Sequence, residues 1–201
     1  MTSACGFVGR RRPAREGLPP GQYDVGSGWP VLTAEVTPRV NTDSWTMSVD
    51  GLVANPMSWS WDEMHQLPQS RYDGDIHCVT TWSKFDVTFG GVSVDVLLDA
   101  ASPLPEATHV LGTSTTGYTT NLPLEHVLGG KAWVVWTFDG KPLAREHGGP
   151  VRLLVPHLYF WKSAKWITKL TLLDHDQHGF WERNGYHDLG DPWREQRYQG
   201  D

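Results

Sequence analysis

The sequence predicts a mixed α+β fold, a single β-rich domain. Three observations predict it. Short stretches of alternating apolar and polar residues recur from Trp45 to Leu173, the period of half-buried strands. The helical patterns between them are brief, and interspersed strands and short helices make a mixed layer rather than an all-β one. At 201 residues, with 39% hydrophobic side chains, the chain is long enough for one sizeable core. No internal repeat or low-complexity block interrupts it.

In chain order, residues 1–28 are rich in Arg, Pro and Gly and read as a flexible segment, either mobile or wrapped on the surface. The domain runs from 29 to 201. W-T-M-S-V-D-G-L-V at 45–53 is a strand, broken at Asn55-Pro56. Ser60 caps the short helix W-D-E-M-H-Q-L with Glu63 as its capping-box partner, and Pro68 ends it. A strand over 72–79 delivers Cys78, and residues 80–84 form the loop after it. Gly90-Gly91 turn the chain into the helix S-V-D-V-L-L-D-A-A, capped by Ser93. Residues 108–113 alternate as a strand, and L-P-L-E-H-V-L is a short helix closed by Gly129-Gly130. Residues 132–138 are a β-branched and aromatic strand, and Asp139-Gly140 is a hairpin signal. The last strands cover 151–155 and 166–173.

Composition excludes some functions. A net charge of −6 does not suit the basic face that nucleic acid demands. No run approaches the roughly 20 apolar residues of a membrane span. The cysteines are Cys5, in the N-terminal segment, and Cys78, so a structural disulfide is not expected and a reducing compartment fits. The eleven tryptophans read either as core or as walls for a planar cofactor.

Two segments carry chemistry. Cys78 sits in D-I-H-C-V-T-T-W-S at a strand exit, from which its sulfur is either a small buried hydrophobe or a soft metal ligand in a cleft. His77 and Lys84 bring positive charge that would lower its pKa. The second segment is H-G-G-P-V-R-L-L-V-P-H-L-Y-F-W-K-S-A-K-W-I, from His147 to Ile167. Gly148 and Gly149 leave room for a backbone to approach a ligand. Arg152 and Val151 point to opposite faces of a strand, one to the core and one to a phosphate. Ser163 and Ala164 are small enough for their N–H groups to meet an anion, and Lys165 adds a point charge. The plain alternative is a strand, a turn and a strand with basic surface residues.

Together these segments resemble the molybdopterin-binding oxidoreductase family, which includes sulfite oxidase and the catalytic subunit of the periplasmic methionine-sulfoxide reductase. The resemblance covers roughly residues 29–198. It implies the β-rich domain of the sulfite oxidase type and a molybdenum–molybdopterin cofactor. Cys78 takes the place of the cysteine whose thiolate ligates molybdenum. The family's H/N-x-x-P-V-R element matches His147, Pro150, Val151 and Arg152, which gives His147 and Arg152 pterin-phosphate roles. Its G-x-K element matches Ser163, Ala164 and Lys165. Thr113 matches a polar cofactor contact, and Leu32 and Thr33 fall near the first pterin-binding loop without its usual residues. His77 and Trp82, beside the ligand, would orient it and shape substrate access.

The resemblance implies two-electron oxygen-atom transfer. Sulfite oxidase continues C-A-G-N-R-R, whereas this chain continues C-V-T-T-W-S-K, closer to the C-V-E-x-W-S of the sulfoxide reductases. Trp82 offers an apolar wall for a neutral S- or N-oxide, with Lys84 and Arg71 as remaining anion holders for the alternative, sulfite-type oxidation. The dimerisation and haem domains of sulfite oxidase are missing, so a monomer is expected. No CxxC cluster, haem motif or nucleotide fingerprint supplies electrons, which implies an external partner, a haem protein or a flavin or iron–sulfur reductase. The opening arginines lack the apolar stretch of exported relatives, so the expected compartment is the cytoplasm. Other classes stay open: a non-catalytic pterin-binding protein, or a domain that holds zinc through His175, His178, His187, Asp174 and Asp176. The tail containing those residues reads as a wrap over the domain.

Overall fold

The computed structural model describes residues 16–201. Cys5 and the arginine-rich opening lie outside the described residues. Part of the segment expected to be flexible, residues 1–28, lies among the described residues. Tyr23 and Asp24 form β1 (Tyr23–Asp24), paired in parallel with residues 82–83, and Gln22 donates to the Cys78 carbonyl at 3.1 Å. The cause is apolar: Tyr23, Val25 and Trp29 pack on a buried cluster around Ile76 and Phe89, a small anchor hidden in a Gly/Pro-rich composition.

β2 (Thr46–Gly51) alternates as expected, with Met47 and Val49 fully buried. It pairs with β3 (Met57–Ser60), which leads into α1 (Trp61–Gln66). The capping box forms, with Ser60 Oγ accepting from the Glu63 N–H and the Glu63 carboxylate accepting from the Ser60 N–H at 2.7 Å. β4 (Ser70–His77) runs antiparallel to the long β5 (Trp82–Ser93). The loop expected over 80–84 is thus only a turn, closed by Cys78 N–H donating to Trp82 O at 2.8 Å. Nor do Gly90 and Gly91 turn the chain. They sit inside β5, where a Cβ on Gly91 would lie 2.0 Å from Val134 O, so the neighbouring strand's approach requires a glycine.

α2 (Val94–Ala101) begins at the Ser93 cap. β6 (His109–Ser114) pairs with β7 (Thr119–Pro123), a strand too polar to show in the pattern. The helix expected next is one 3₁₀ turn, Leu124–His126. β8 (Trp133–Phe138) and β9 (Lys141–Pro142) form the expected hairpin, with positive φ at Asp139 and Gly140. β10 (Arg152–Leu154) and β11 (Ile167–Leu173) complete the strands among the described residues.

The strands make two sheets. One follows the order β1-β5-β8-β10, with β4 added on β5 and β9 on β8; the other follows β3-β2-β11-β6-β7. At β8 and β10 the first sheet is buried on both faces, and alternation assigns the faces. Val134 and Leu153 enter the main core with Met47, Leu98 and Leu170. Val135 and Leu154 enter the second cluster, which contains Cys78 and Trp82. Arg152 shares a face with Leu154 by the same period, which turns it toward the cysteine's side of the sheet. Among the described residues no helix is long and apolar enough to cross a membrane.

Candidate active site

Cys78 follows the last residue of β4 and opens the turn to β5. Consecutive residues of an extended chain face opposite ways, so its thiol and the His77 ring part company. His77 Nδ1 lies 2.8 Å from Ser83 Oγ, and the ring meets the edge of Trp193. The thiol instead joins the wall of a cavity of about 250 Å³. It is 7% exposed, and its sulfur lies 3.2 Å from Thr80 Oγ1. Burial pushes the thiol's pKa up, with Thr80 and Arg197 opposing. The expected lowering by His77 and Lys84 is not seen. The His77 ring, itself pushed toward neutrality by burial, faces away, and Lys84 Nζ donates to the Gly26 carbonyl at 3.0 Å.

Arg152 lines the same cavity from β10, and it is almost wholly buried. Its Nη1 donates to His147 O at 2.6 Å, its Nη2 to Ser163 O at 2.5 Å, and its Nε to Leu153 O at 3.4 Å. A guanidinium has five N–H groups, so one on each terminal nitrogen is left for another acceptor. The group lies 4.0 Å from the Phe160 ring centre. No carboxylate among the described residues forms an ion pair with it, and burial lowers its pKa to about 9. Lys165 bridges backbone carbonyls of Leu32 (2.8 Å) and Glu146 (2.6 Å). Burial and the Arg152 charge lower its pKa to about 8. The His147 ring stacks on Trp29 at 3.7 Å, and burial with the two nearby cations brings its pKa down to about 4, so it is neutral.

The structure therefore brings Leu32, Thr33, Cys78, Trp82, His147, Arg152, Ser163, Ala164 and Lys165 onto one cavity wall. His77 and Thr113 are not on it. His77 is excluded by strand alternation. Thr113 lies in β6 between β7 and β11, and its carbonyl accepts from Thr168 Oγ1 at 3.1 Å. The amide of Ser163 donates to Phe160 O and its hydroxyl accepts from Val155 N–H, so it serves the site through its carbonyl instead. Gly148 and Gly149 leave room for the chain, not for a ligand: added Cβ atoms would lie 3.1 Å from Arg152 Cβ and 2.0 Å from Leu143 O. Sequence reasoning missed the aromatic walls, Trp29, Tyr118, Phe160, Trp161, Trp181 and Tyr186. The abundance of tryptophan hinted at them, but no local pattern marks them.

These residues fit a phosphate-bearing, metal-holding group. A buried guanidinium with no anion partner is costly, and a phosphate fills the place with charge-assisted bonds. The indole Nε1 of Trp82 is also buried without an acceptor. A thiol is a soft ligand that loses its proton on coordination. The zinc set assembles only in part: Asp176 and His178 meet Asp188 at the surface, whereas His175 pairs with Asp174 and His187 Nδ1 accepts from Leu189 N–H.

Fold and cavity define a molybdopterin-dependent oxidoreductase. The chain belongs to the oxidoreductase molybdopterin binding domain family, whose model matches residues 34–181. It is 40% identical over 196 residues to the uncharacterized oxidoreductase YuiH of Bacillus subtilis, covering 97% of this chain and 99% of that one. It is 27% identical to the protein-methionine-sulfoxide reductase catalytic subunit MsrP of Gluconobacter oxydans, covering 69% of this chain but only 50% of the relative. The sulfane dehydrogenase SoxCD of Paracoccus pantotrophus shares the fold, with a TM-score of 0.64 at 19% identity over 70% of this chain and 41% of that one.

Proposed function

We propose that this chain reduces a small, uncharged S- or N-oxide by two-electron oxygen-atom transfer at a molybdenum–pterin centre. One observation carries the direction. The cations read as holders for an anionic substrate are engaged elsewhere. Arg71 pairs with Asp73 at 2.7 Å on the surface, Lys84 is tied to Gly26 O, and neither lines the cavity. Beside Cys78 the wall is Val79, Thr80 and Trp82, which suits a neutral molecule better than a dianion. The name of MsrP supports the reading, since a sulfoxide is such an oxide.

When bound, the cofactor supplies the oxygen-atom transfer. The chain's residues hold and shelter it. Cys78 would give its thiolate to the metal. Arg152 and Lys165 would grip the phosphate end, with neutral His147 stacked alongside. Trp82, Phe160 and Trp161 would exclude water and limit substrate size. Electrons would come from an external haem, flavin or iron–sulfur partner, because the sequence contains no second redox motif.

Metal analysis and a substrate screen test this. Purified protein is expected to carry stoichiometric molybdenum and pterin, and Cys78→Ser to lose the metal and all turnover. With reduced viologen, dimethyl sulfoxide, methionine sulfoxide or trimethylamine N-oxide is expected to be consumed. Faster oxidation of sulfite with ferricyanide than reduction of any of these oxides would sink the proposal.

A further inference from the structure

A second cavity, of about 540 Å³, shares no wall residue with the first. The two are neighbours all the same. Arg145, Gly149 and Pro150 line the second and flank His147, which lines the first. Its floor is aromatic: Trp61 and His65 from α1 and Trp136 from β8. The His65 ring centre lies 4.6 Å from that of Trp61 and 4.4 Å from that of Trp136. His65 Nδ1 sits 2.8 Å from the Trp61 carbonyl. A carbonyl only accepts, so Nδ1 bears a proton.

Arg39 and Arg145 complete the wall, and both are exposed. No aspartate or glutamate lines this cavity, and neither arginine has a carboxylate partner among the described residues. Guanidinium groups suit phosphate through paired N–H donors. Indole faces suit a planar ring. The volume falls within the roughly 300–1,000 Å³ usual for small-molecule sites. From this juxtaposition we infer that the cavity binds a planar aromatic phosphate of nucleotide size. The ring packs against Trp61, His65 and Trp136, whose planes are tilted 35°, 52° and 59° to one another, and the phosphate meets Arg39 and Arg145. The site contains no thiol, and it stands independently of the molybdenum reading.

Calorimetric titration of the cofactor-loaded protein tests it, with AMP, flavin mononucleotide and inorganic phosphate as probes. AMP and the flavin differ in ring size and share the phosphate, so they separate a purine from an isoalloxazine. At least one of them is expected to bind at least tenfold more tightly than inorganic phosphate. The double variant Arg39→Ala/Arg145→Ala is expected to weaken it tenfold or more, and Trp61→Leu to weaken it while leaving inorganic phosphate unchanged. Melting curves check that both variants stay folded; both arginines are exposed, so the double variant is the one that decides if Trp61→Leu unfolds. The inference is overturned if neither aromatic phosphate binds at millimolar concentration. It is equally overturned if inorganic phosphate binds as well as they do, or if the double variant binds unchanged.

Discussion

Replacing Arg152 with methionine separates stability from cofactor affinity, because the guanidinium acts on the two in opposite senses. In the cofactor-free protein it satisfies the carbonyls of His147, Ser163 and, weakly, Leu153. Leaving the two close ones without a donor costs about 1–3 kcal/mol each. Against this stands the cost of burying an unpartnered cation. The fall in pKa from 12.5 to about 9 corresponds to roughly 5 kcal/mol against the charged form. Methionine removes that penalty and fills similar volume. The two effects nearly cancel, so the cofactor-free Arg152→Met protein is expected to melt close to wild type.

Cofactor affinity has no such compensation. The unused N–H on each terminal nitrogen would donate to the phosphate, at about 1.5–3 kcal/mol per charged hydrogen bond. Losing two weakens binding by roughly 10²–10⁴-fold. Arg152→Lys keeps the charge, yet one ammonium cannot span His147 O, Ser163 O and a phosphate together, so its affinity is expected to lie between. The assay measures pterin fluorescence after oxidation and molybdenum by mass spectrometry, beside thermal melts of cofactor-free protein. Wild-type pterin content in Arg152→Met would refute the phosphate role. A large drop in melting temperature with the pterin retained would show that the guanidinium is a structural strut only.

The ion pair between Lys162 and Glu182 spans 2.6 Å with both side chains fully buried, and Glu182 also accepts from Trp161 Nε1 at 2.9 Å. Glu182→Gln leaves a buried ammonium and is expected to cost about 3–5 kcal/mol, read as a lower melting temperature, whereas Lys162→Met/Glu182→Met is expected to cost less; equal losses would argue against the pair. His126 Nδ1 and His157 Nε2 meet at 3.1 Å, and burial with neighbouring charge lowers the His157 pKa from 6.5 to about 4. Below pH 6.5 the unfolded chain takes up this proton first, so stability present above 6.5 is lost as pH falls toward 4. His157→Gln should flatten that part of the melting-temperature profile, and a profile unchanged in slope would exclude the pair as its source.

What could be read from the sequence and what could not divide along a physical line. Cys78, Arg152 and Lys165 are visible because their chemistry is rare: one of two thiols in the chain, and cations beside small residues. Their meeting followed from the resemblance, and the fold supplies the mechanical reason. The two-residue period on β10 puts Arg152 on Leu154's face, and Leu154 packs in the cluster that contains Cys78. The same period could have excluded His77, one residue from Cys78 on the strand that delivers it. Thr113 failed for a different reason. Its polarity says nothing about which sheet β6 joins, and that choice is made by pairing with β11, more than fifty residues later. Trp181 and Tyr186 reach the cavity from the C-terminal wrap, and their placement rests on long-range contacts: Phe180 N–H to Thr119 O, and Lys162 to Glu182. A wrap of this kind has no periodicity of its own. It is tied to the domain by contacts distant in sequence, among them the buried Lys162–Glu182 pair, which sits next to Trp181 of the cavity wall.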